Sequence, residues 1–465
     1  MTFLIVAIVI IGYFLIATEN ITNLNKASVA MFLGVSGWIL YMLNGAQYVD
    51  SMHAASYHVF LDGAQSTVAS LKSYIGTQVF MKYVANVCQV LLFILATMCI
   101  VEVLNVHGAL SFLKEWMRVR NGKKLIWIVA FLTFIISANL DNLTTAVMMI
   151  TLLRQVIPSR RQRFYYACVI VMAANCGGCF TAIGDVTSVM LWMKGAITPT
   201  PFAGGVVIPA LVSLVVCTAL ASRYVPDHVE LTSTLGAFRG DDFFLNRVQR
   251  MSLLIVGIGG LWAIPTFHRV TGLPPFVGAL CVLSLLWVIT EIYTRRKNDN
   301  DVIIYHRSPL TVQYMDIQLL LFLLGISLAV GAIQETGALQ SFAAWTDEHI
   351  HNIYLASIVL GFISAFLDNI PLVWTGVSMY PVLSHGTATA LGDSYFSAFT
   401  QDGAYWQVLS YCGSVGGCLL TIGSQAGFAM MRIEKMRMWH YFLRFSWIVF
   451  IAWMAGLLVF WLTHL

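Results

Sequence analysis

Apolar residues run through this chain in long blocks separated by short polar stretches. The blocks span roughly 2–17, 27–44, 83–105, 123–153, 164–193, 203–222, 251–267, 274–293, 317–334, 352–380, 405–431 and 440–463. A helix rises 1.5 Å per residue, so about 20 residues cross a hydrocarbon layer of ~30 Å. The pattern predicts an all-α polytopic membrane protein with about ten to twelve crossings. The blocks 123–153 and 352–380 are too long for one straight crossing, and polar residues interrupt both. Each reads as either a tilted helix or a helix–turn–helix hairpin. The blocks 164–193 and 405–431 carry glycine-rich polar interruptions, which predict two broken helices.

Composition removes other classes. Of 465 residues, 58% are hydrophobic and 10% charged, against about 25% charged in soluble proteins. The net charge of +4 is small and its basic residues lie in short loops, which is no nucleic-acid signal. Nine cysteines fall mostly inside apolar blocks, where Cys acts as a small hydrophobe rather than in a disulfide framework. No basic stretch precedes the opening block, so it reads as a span and not as a cleavable signal.

Loop charge decides between tilted helix and hairpin. Lys114, Arg118, Arg120, Lys123 and Lys124 precede the first long block, and Arg154, Arg160, Arg161 and Arg163 follow it. The second is flanked by Glu335, Asp347 and Glu348 before and by Asp393 and Asp402 after, without Lys or Arg. Cytoplasmic loops are rich in Lys and Arg. Both ends of the first block then lie inside and both ends of the second outside, so each is a re-entrant hairpin and the two enter from opposite faces. The loops 223–250, 294–307 (Arg295, Arg296, Lys297, Arg307) and 432–437 are also basic. The stretch 45–82 is placed outside, as an interfacial or partly re-entrant segment.

The chain also repeats itself. FISAFLDNIPLV at 362–373 matches IISANLDNLTTA at 135–146, a shift of 227. The stretch 321–339 matches 92–110 at a shift of 229, and GGCLLTIGS at 416–424 matches GGCFTAIGD at 177–185 at a shift of 239. Paired Leu-Asp-Asn and Gly-Gly-Cys triplets in one order exceed what generic apolar helices share. Halves that insert from opposite sides form the inverted-repeat plan of secondary transporters. The expected division is 1–82 (N-terminal helices and external segment), 83–222 (first repeat), 223–316 (linker and connecting helices) and 317–465 (second repeat).

Ionisable groups inside membrane segments mark functional sites. Asp141 and Asp368 sit at the hairpin tips, each followed by an asparagine, Asn142 and Asn369. These residues supply oxygen ligands of the kind a hard cation such as Na⁺ takes. Ser137, Asn139, Thr144 and Thr145 add candidates at the first tip and Ser364 at the second. Neutral caps would serve the hairpin legs at a lower desolvation cost than two acids, so paired acids point to charge chemistry. The breaks at Asn175–Gly184–Asp185 and Thr421–Gly423–Ser424 would expose carbonyls and half-helix ends, or serve close helix packing. Cys176 and Cys179 form a CxxC, but Val415 stands where the second half would repeat Cys176, which argues against a metal or redox pair. Glu102, near the end of its span, is a candidate for a proton path or for contact with the interface. His53, His58, His349 and His351 read as solvated loop residues.

SANLDNLTTA with SAFLDNIPL, together with NCGGCFTAIGD, resembles the NhaD family of bacterial sodium/proton antiporters, within the ion transporter superfamily, over roughly 83–463. The resemblance implies a scaffold domain plus a moving transport domain that holds both hairpins, a homodimer, and an inner-membrane location. It implies ion and proton binding by Asp141, Asn142, Asp368 and Asn369, with transported Na⁺ (or Li⁺) and H⁺ and no cofactor. Na⁺ and H⁺ would compete for the same carboxylates, which gives exchange by alternating access without any bond being made. Rival readings are a carrier of arsenite or a carboxylate on the same plan, and a membrane enzyme. Acidic tips work against an anion site, and the only loop-borne acidic pair to test for catalysis is Asp241–Asp242.

Overall fold

The computed structural model describes residues 1–110, 112–230, 245–295, 316–390 and 393–464. Asp241, Asp242, Arg296, Lys297 and Arg307 lie outside the described residues. The described chain is built of helices, without a β-strand. The main ones are α1 (Thr2–Ala17), α2 (Lys26–Leu43), α3 (Met81–Val106), α4 (Gly122–Ser137), α5 (Asn142–Val156), α6 (Arg160–Gly178), α7 (Val186–Met193) and α8 (Pro199–Ala221). They continue as α9 (Arg247–Thr271), α10 (Pro275–Arg295), α11 (Ile317–Glu335), α12 (Ile353–Phe366), α13 (Asn369–Met379), α14 (Ala404–Gly416), α15 (Gln425–Glu434) and α16 (Ser446–Thr463). Seven described helices are long and apolar enough to cross a membrane: α2, the run Val68–Val106 that ends in α3, and α8, α9, α10, α11 and α16. The protein is a multi-pass membrane protein.

The shortfall from ten to twelve crossings comes from the four interrupted blocks and from α1, which has 16 residues. The legs α4, α5, α12 and α13 have 16, 15, 14 and 11 residues, so none reaches much beyond about 24 Å. Both long blocks break, at 138–141 between α4 and α5 and at 367–368 between α12 and α13. The two glycine-rich blocks also break, at 179–185 between α6 and α7 and at 417–424 between α14 and α15. Each second half starts on a side-chain cap, from Asp185 to the Thr187 N–H and from Ser424 to the Gly427 N–H.

Packing follows the repeat. α4 lies on α6 as α12 lies on α14, and α5 lies on α15 as α13 lies on α7. The second leg of each hairpin therefore meets the broken helix of the other half. Outside this centre, α1 packs on α2 and α9 on α10, while α2 crosses to α11 and α10 to α3. Glycines permit the tightest contacts. A Cβ on Gly184 would stand 2.7 Å from the Ser137 carbonyl, and one on Gly423 2.7 Å from Ala365 Cα. Thus both breaks press against the ends of hairpin legs. A buried ion pair closes the end of the bundle, where Arg163 Nη2 donates to Glu434 Oε2 at 3.0 Å.

The stretch 45–82, expected as an interfacial or partly re-entrant segment, is helical over most of its length. It holds helices Gly45–Met52, Ala54–Leu61 and Val68–Tyr74, and a π-helical turn over Ile75–Phe80 leads into α3. Lys72, Ser73, Thr77 and Lys82 interrupt the apolar pattern there and mask a continuous helix. His53 departs from the solvated reading by pairing with a buried acid, while His351 stays exposed and pairs at the surface. His53 Nε2 lies 2.5 Å from the buried Glu335, which also accepts from Tyr83 Oη at 2.7 Å. His351 Nε2 lies 2.9 Å from Asp393 Oδ2. In both cases the partner is remote in sequence.

Candidate ion-binding site

Each hairpin tip meets a helix break. At the first, Ser137 Oγ donates to the Ala174 carbonyl at 2.6 Å, and Thr181 Oγ1 to the Ala138 carbonyl at 2.8 Å. At the second, Ser364 Oγ donates to the Gly413 carbonyl at 2.7 Å. The two serines thus pin their tips to the first halves of the broken helices.

Two mirror-related clusters lie beside the tips. In one, Asn142 Nδ2 donates to Asn175 Oδ1 at 3.3 Å, and Asn175 Nδ2 to Ser424 Oγ at 3.3 Å. In the other, Asn369 Nδ2 donates to Asp185 Oδ2 at 3.4 Å, and Ser414 Oγ to the same oxygen at 2.7 Å. The shifts of 227 and 239 map Asn142 onto Asn369, Asn175 onto Ser414 and Asp185 onto Ser424. Each cluster therefore draws on a hairpin tip, the first half of one broken helix and the second half of the other. They differ in charge, because the carboxylate of Asp185 occupies the place that Ser424 holds in its mirror.

Asp141 accepts from the Thr144 N–H at 3.1 Å and caps α5. Asp368 instead accepts from Lys26 Nζ at 2.7 Å. Its carboxylate is 6% exposed, so this contact sets its local charge balance. The sequence showed no basic residue in either tip, and that remains so, but Lys26 enters the second tip from α2, 342 residues away. Asp185 is within Coulombic reach of both Asp141 and Asp368.

Buried oxygens at the tips lack protein partners among the described residues. They are Asp141 Oδ1, Asn142 Oδ1, Thr145 Oγ1, Asp368 Oδ1, Asn369 Oδ1 and Gln425 Oε1. Buried polar atoms are seldom left unpaired, because each costs about 1–3 kcal/mol. Four of the six form mirror pairs of carboxylate and amide oxygens, a donor set suited to a hard cation. Among the described residues no three His, Cys, Asp or Glu side chains gather into a metal cluster. Cys176 and Cys179 are buried free thiols, and Cys179 Sγ lies 3.3 Å from the Cys176 carbonyl.

Other candidates stand apart from these clusters. Asn139 turns away: its Nδ2 bonds the Ile135 carbonyl at 2.6 Å and its Oδ1 accepts from Trp262 of α9. Thr421 Oγ1 contacts Met431 Sδ at 2.6 Å. Glu102 lines a cleft of about 680 Å³ with Lys26, Thr144, Gln425 and Arg432. This cleft separates α3 from α5 and reaches the first tip. A second cleft, of about 790 Å³, is lined by Met190, Met193, Trp374, Ser378 and Glu335. The repeat shifts map Ser378 onto Thr151, and Met193 onto Arg432, both in the wall of the first cleft. The clefts are thus mirror images, but α13 packs against α11, so the second stops short of its tip. Sequence reasoning missed Lys26, Ser414 and Gln425. The repeat held a signal for Ser414, which is the mirror of Asn175; nothing local marked Lys26.

Known proteins resemble this chain over most of its length. The family described as citrate transporter, CitMHS, matches residues 13–400. "Sodium/proton antiporter 2" of Arabidopsis thaliana is 32% identical over 457 residues, which cover 98% of each chain. "Sodium/proton antiporter 1" of the same plant is 32% identical over 98% of this chain and 71% of its own. "Na(+)/H(+) antiporter NhaD" of Alkalimonas amylolytica is 28% identical over 98% of this chain and 89% of its own. With a family match over most of its length and a relative aligned almost end to end, the chain belongs to the CitMHS family, as an NhaD-type member.

Proposed function

We propose that the protein is a secondary active antiporter that exports Na⁺ (or Li⁺) in exchange for H⁺ by alternating access. The observation that carries this reading is the set of mirror-related buried oxygens without protein partners at Asp141, Asn142, Asp368 and Asn369. Asn175, Asp185 and Ser424 complete the two clusters. Oxygen donors around carboxylates take Na⁺, and protonation of the same carboxylates removes the charge that holds it. Exchange then needs only competition. The ions are cargo, and no resident cofactor takes part.

The sidedness follows from charge. The cleft that reaches the first tip runs along α5 and α15 toward Arg154 and Arg432, and a basic border marks the cytoplasmic face. This conformation is then open to the inside. The mirror cleft, bordered by Glu335 and the 45–82 segment, is the outer path in its closed form. The hairpins act as re-entrant elements from opposite faces. We assign α4–α7 and α12–α15 to the moving transport domain, and the remaining long helices to a scaffold that pairs with a second copy in a homodimer. The setting this reading takes is a bacterial inner membrane.

A carboxylate substrate fits the site poorly. Lys26, the cation at the tips, is already paired with Asp368, and the remaining groups are carboxylates, amides and hydroxyls. Arsenite would call for thiol contacts, and Cys176 and Cys179 are packed in the core. The test is the pH response of inverted vesicles to added Na⁺, Li⁺ or K⁺. Na⁺ and Li⁺ should release protons from the lumen and K⁺ should not. Asp141→Asn and Asp368→Asn should each abolish the response at normal expression; a full response in either variant would sink the assignment.

A further inference from the structure

The two hairpin tips match in sequence, yet their carboxylates are used differently. Asp141 caps α5. Asp368 makes no cap bond to α13 and binds the Lys26 ammonium instead. Lys26 opens α2, immediately after its cap Asn25. A cation at a helix N-terminus opposes the helix dipole, so helix stability does not account for a lysine there. Two aromatic rings hold its ammonium, with the centroid of Phe322 at 4.8 Å and that of Phe428 at 5.7 Å. The side chain is 21% exposed. It lines both the cleft that reaches the first tip and the small cavity that contains Asp368. Glu19 lines both as well, and Arg432 lines the cleft. One ammonium thus stands between water and the second tip.

We infer that Lys26 is the built-in counter-ion of Asp368, a group that entering Na⁺ must displace, so that the two mirror-related half-sites are not equivalent. This rests on the Na⁺/H⁺ reading above. Without Na⁺, Lys26 balances Asp368, and the transport domain returns without a bare carboxylate at that tip. With Na⁺ on Asp368, the ammonium swings into the cleft, where Glu19 and water receive it. The first tip has no such competitor among the described residues. Lys26 therefore acts as a positioning residue that sets the Na⁺ affinity of one half-site.

The test compares Lys26→Met, Lys26→Gln and Lys26→Arg in inverted vesicles, reading initial rate against Na⁺ concentration at one alkaline pH. Both neutral variants should lower KM for Na⁺ by about fivefold or more, the scale of removing an ion pair with a partly exposed partner. Their maximal rate should also fall, because the Na⁺-free return must then wait for protonation of an Asp368 that Lys26 no longer balances. Lys26→Arg keeps the charge and should hold KM near that of the unmodified protein. A purely structural pair would change the amount of assembled protein and leave this split unmoved. The inference is overturned if KM in the neutral variants equals or exceeds that of the unmodified protein. It is also overturned if both neutral variants fail to assemble while the arginine variant does. Absence of any Na⁺ response in the unmodified protein would instead remove the antiport reading itself.

Discussion

Asp185 and Ser424 occupy mirror positions and cap mirror helices, yet only one is an acid. Asp185 takes hydrogen bonds from Ser414 and Asn369 as well as from its own helix, so its charge is shared by both halves. Asp185→Asn should lower the transport rate by roughly tenfold or more, since hydrogen bonds to a charged group are worth ~1.5–3 kcal/mol. Ser424→Ala should mainly destabilise, by about 1 kcal/mol through loss of a cap. Vesicle rates and thermal unfolding of the purified variants separate the two effects; equal rate losses would contradict the difference in charge. The placing of Asp141 and Asp368 at helix interruptions was legible in sequence, because an acid within an apolar run is costly and marks a break. The employment of Ser137 and Ser364 was not, because a hydroxyl at a tip serves a carbonyl as readily as an ion. Asn139 looked like a ligand for its place in the tip, and only the approach of Trp262 turned it aside.

The helix breaks depend on close backbone contact. Gly423 lies under the end of α12 and Gly184 under the end of α4. A methyl group at Gly423 would meet Ala365 Cα, which is backbone and cannot rotate away. Gly423→Ala should therefore cost about 1–3 kcal/mol, the usual range for overpacking. A methyl group on Gly259 of α9 would meet nothing within 4 Å, and Gly259→Ala should be neutral or stabilising by up to ~1 kcal/mol. Thermal unfolding in detergent checks both, and a Gly423→Ala protein as stable as Gly259→Ala would show that the break has room. The helix breaks were readable because polar residues and glycine in an apolar block are local signals. The continuation of α3 back to Val68 was not, because a helix partly facing solvent tolerates the lysines and threonines that obscure the pattern.

At the scale of the whole molecule, the proposed function makes the mirror clefts opposite paths to one centre. In a protein whose exposed Cys88 and Cys281 are replaced by alanine, Thr151→Cys should react with a membrane-impermeant thiol reagent from the basic-loop side only. Ser378→Cys should react only from the other side, and the two reactivities should shift in opposite directions as Na⁺ is added. Reaction of both from one side would contradict the inverted arrangement. The sequence alone determined the helical membrane class, the repeat, the breaks and the acids at the tips, because each is a departure from apolar periodicity that a neighbouring residue cannot disguise. Tertiary structure alone decided which half meets which: α5 on α15, α13 on α7, Lys26 on Asp368, and His53 on Glu335. Those pairings join residues hundreds of positions apart, and their energy comes from burial and charge balance at the point of contact, which the order of residues along the chain does not encode locally.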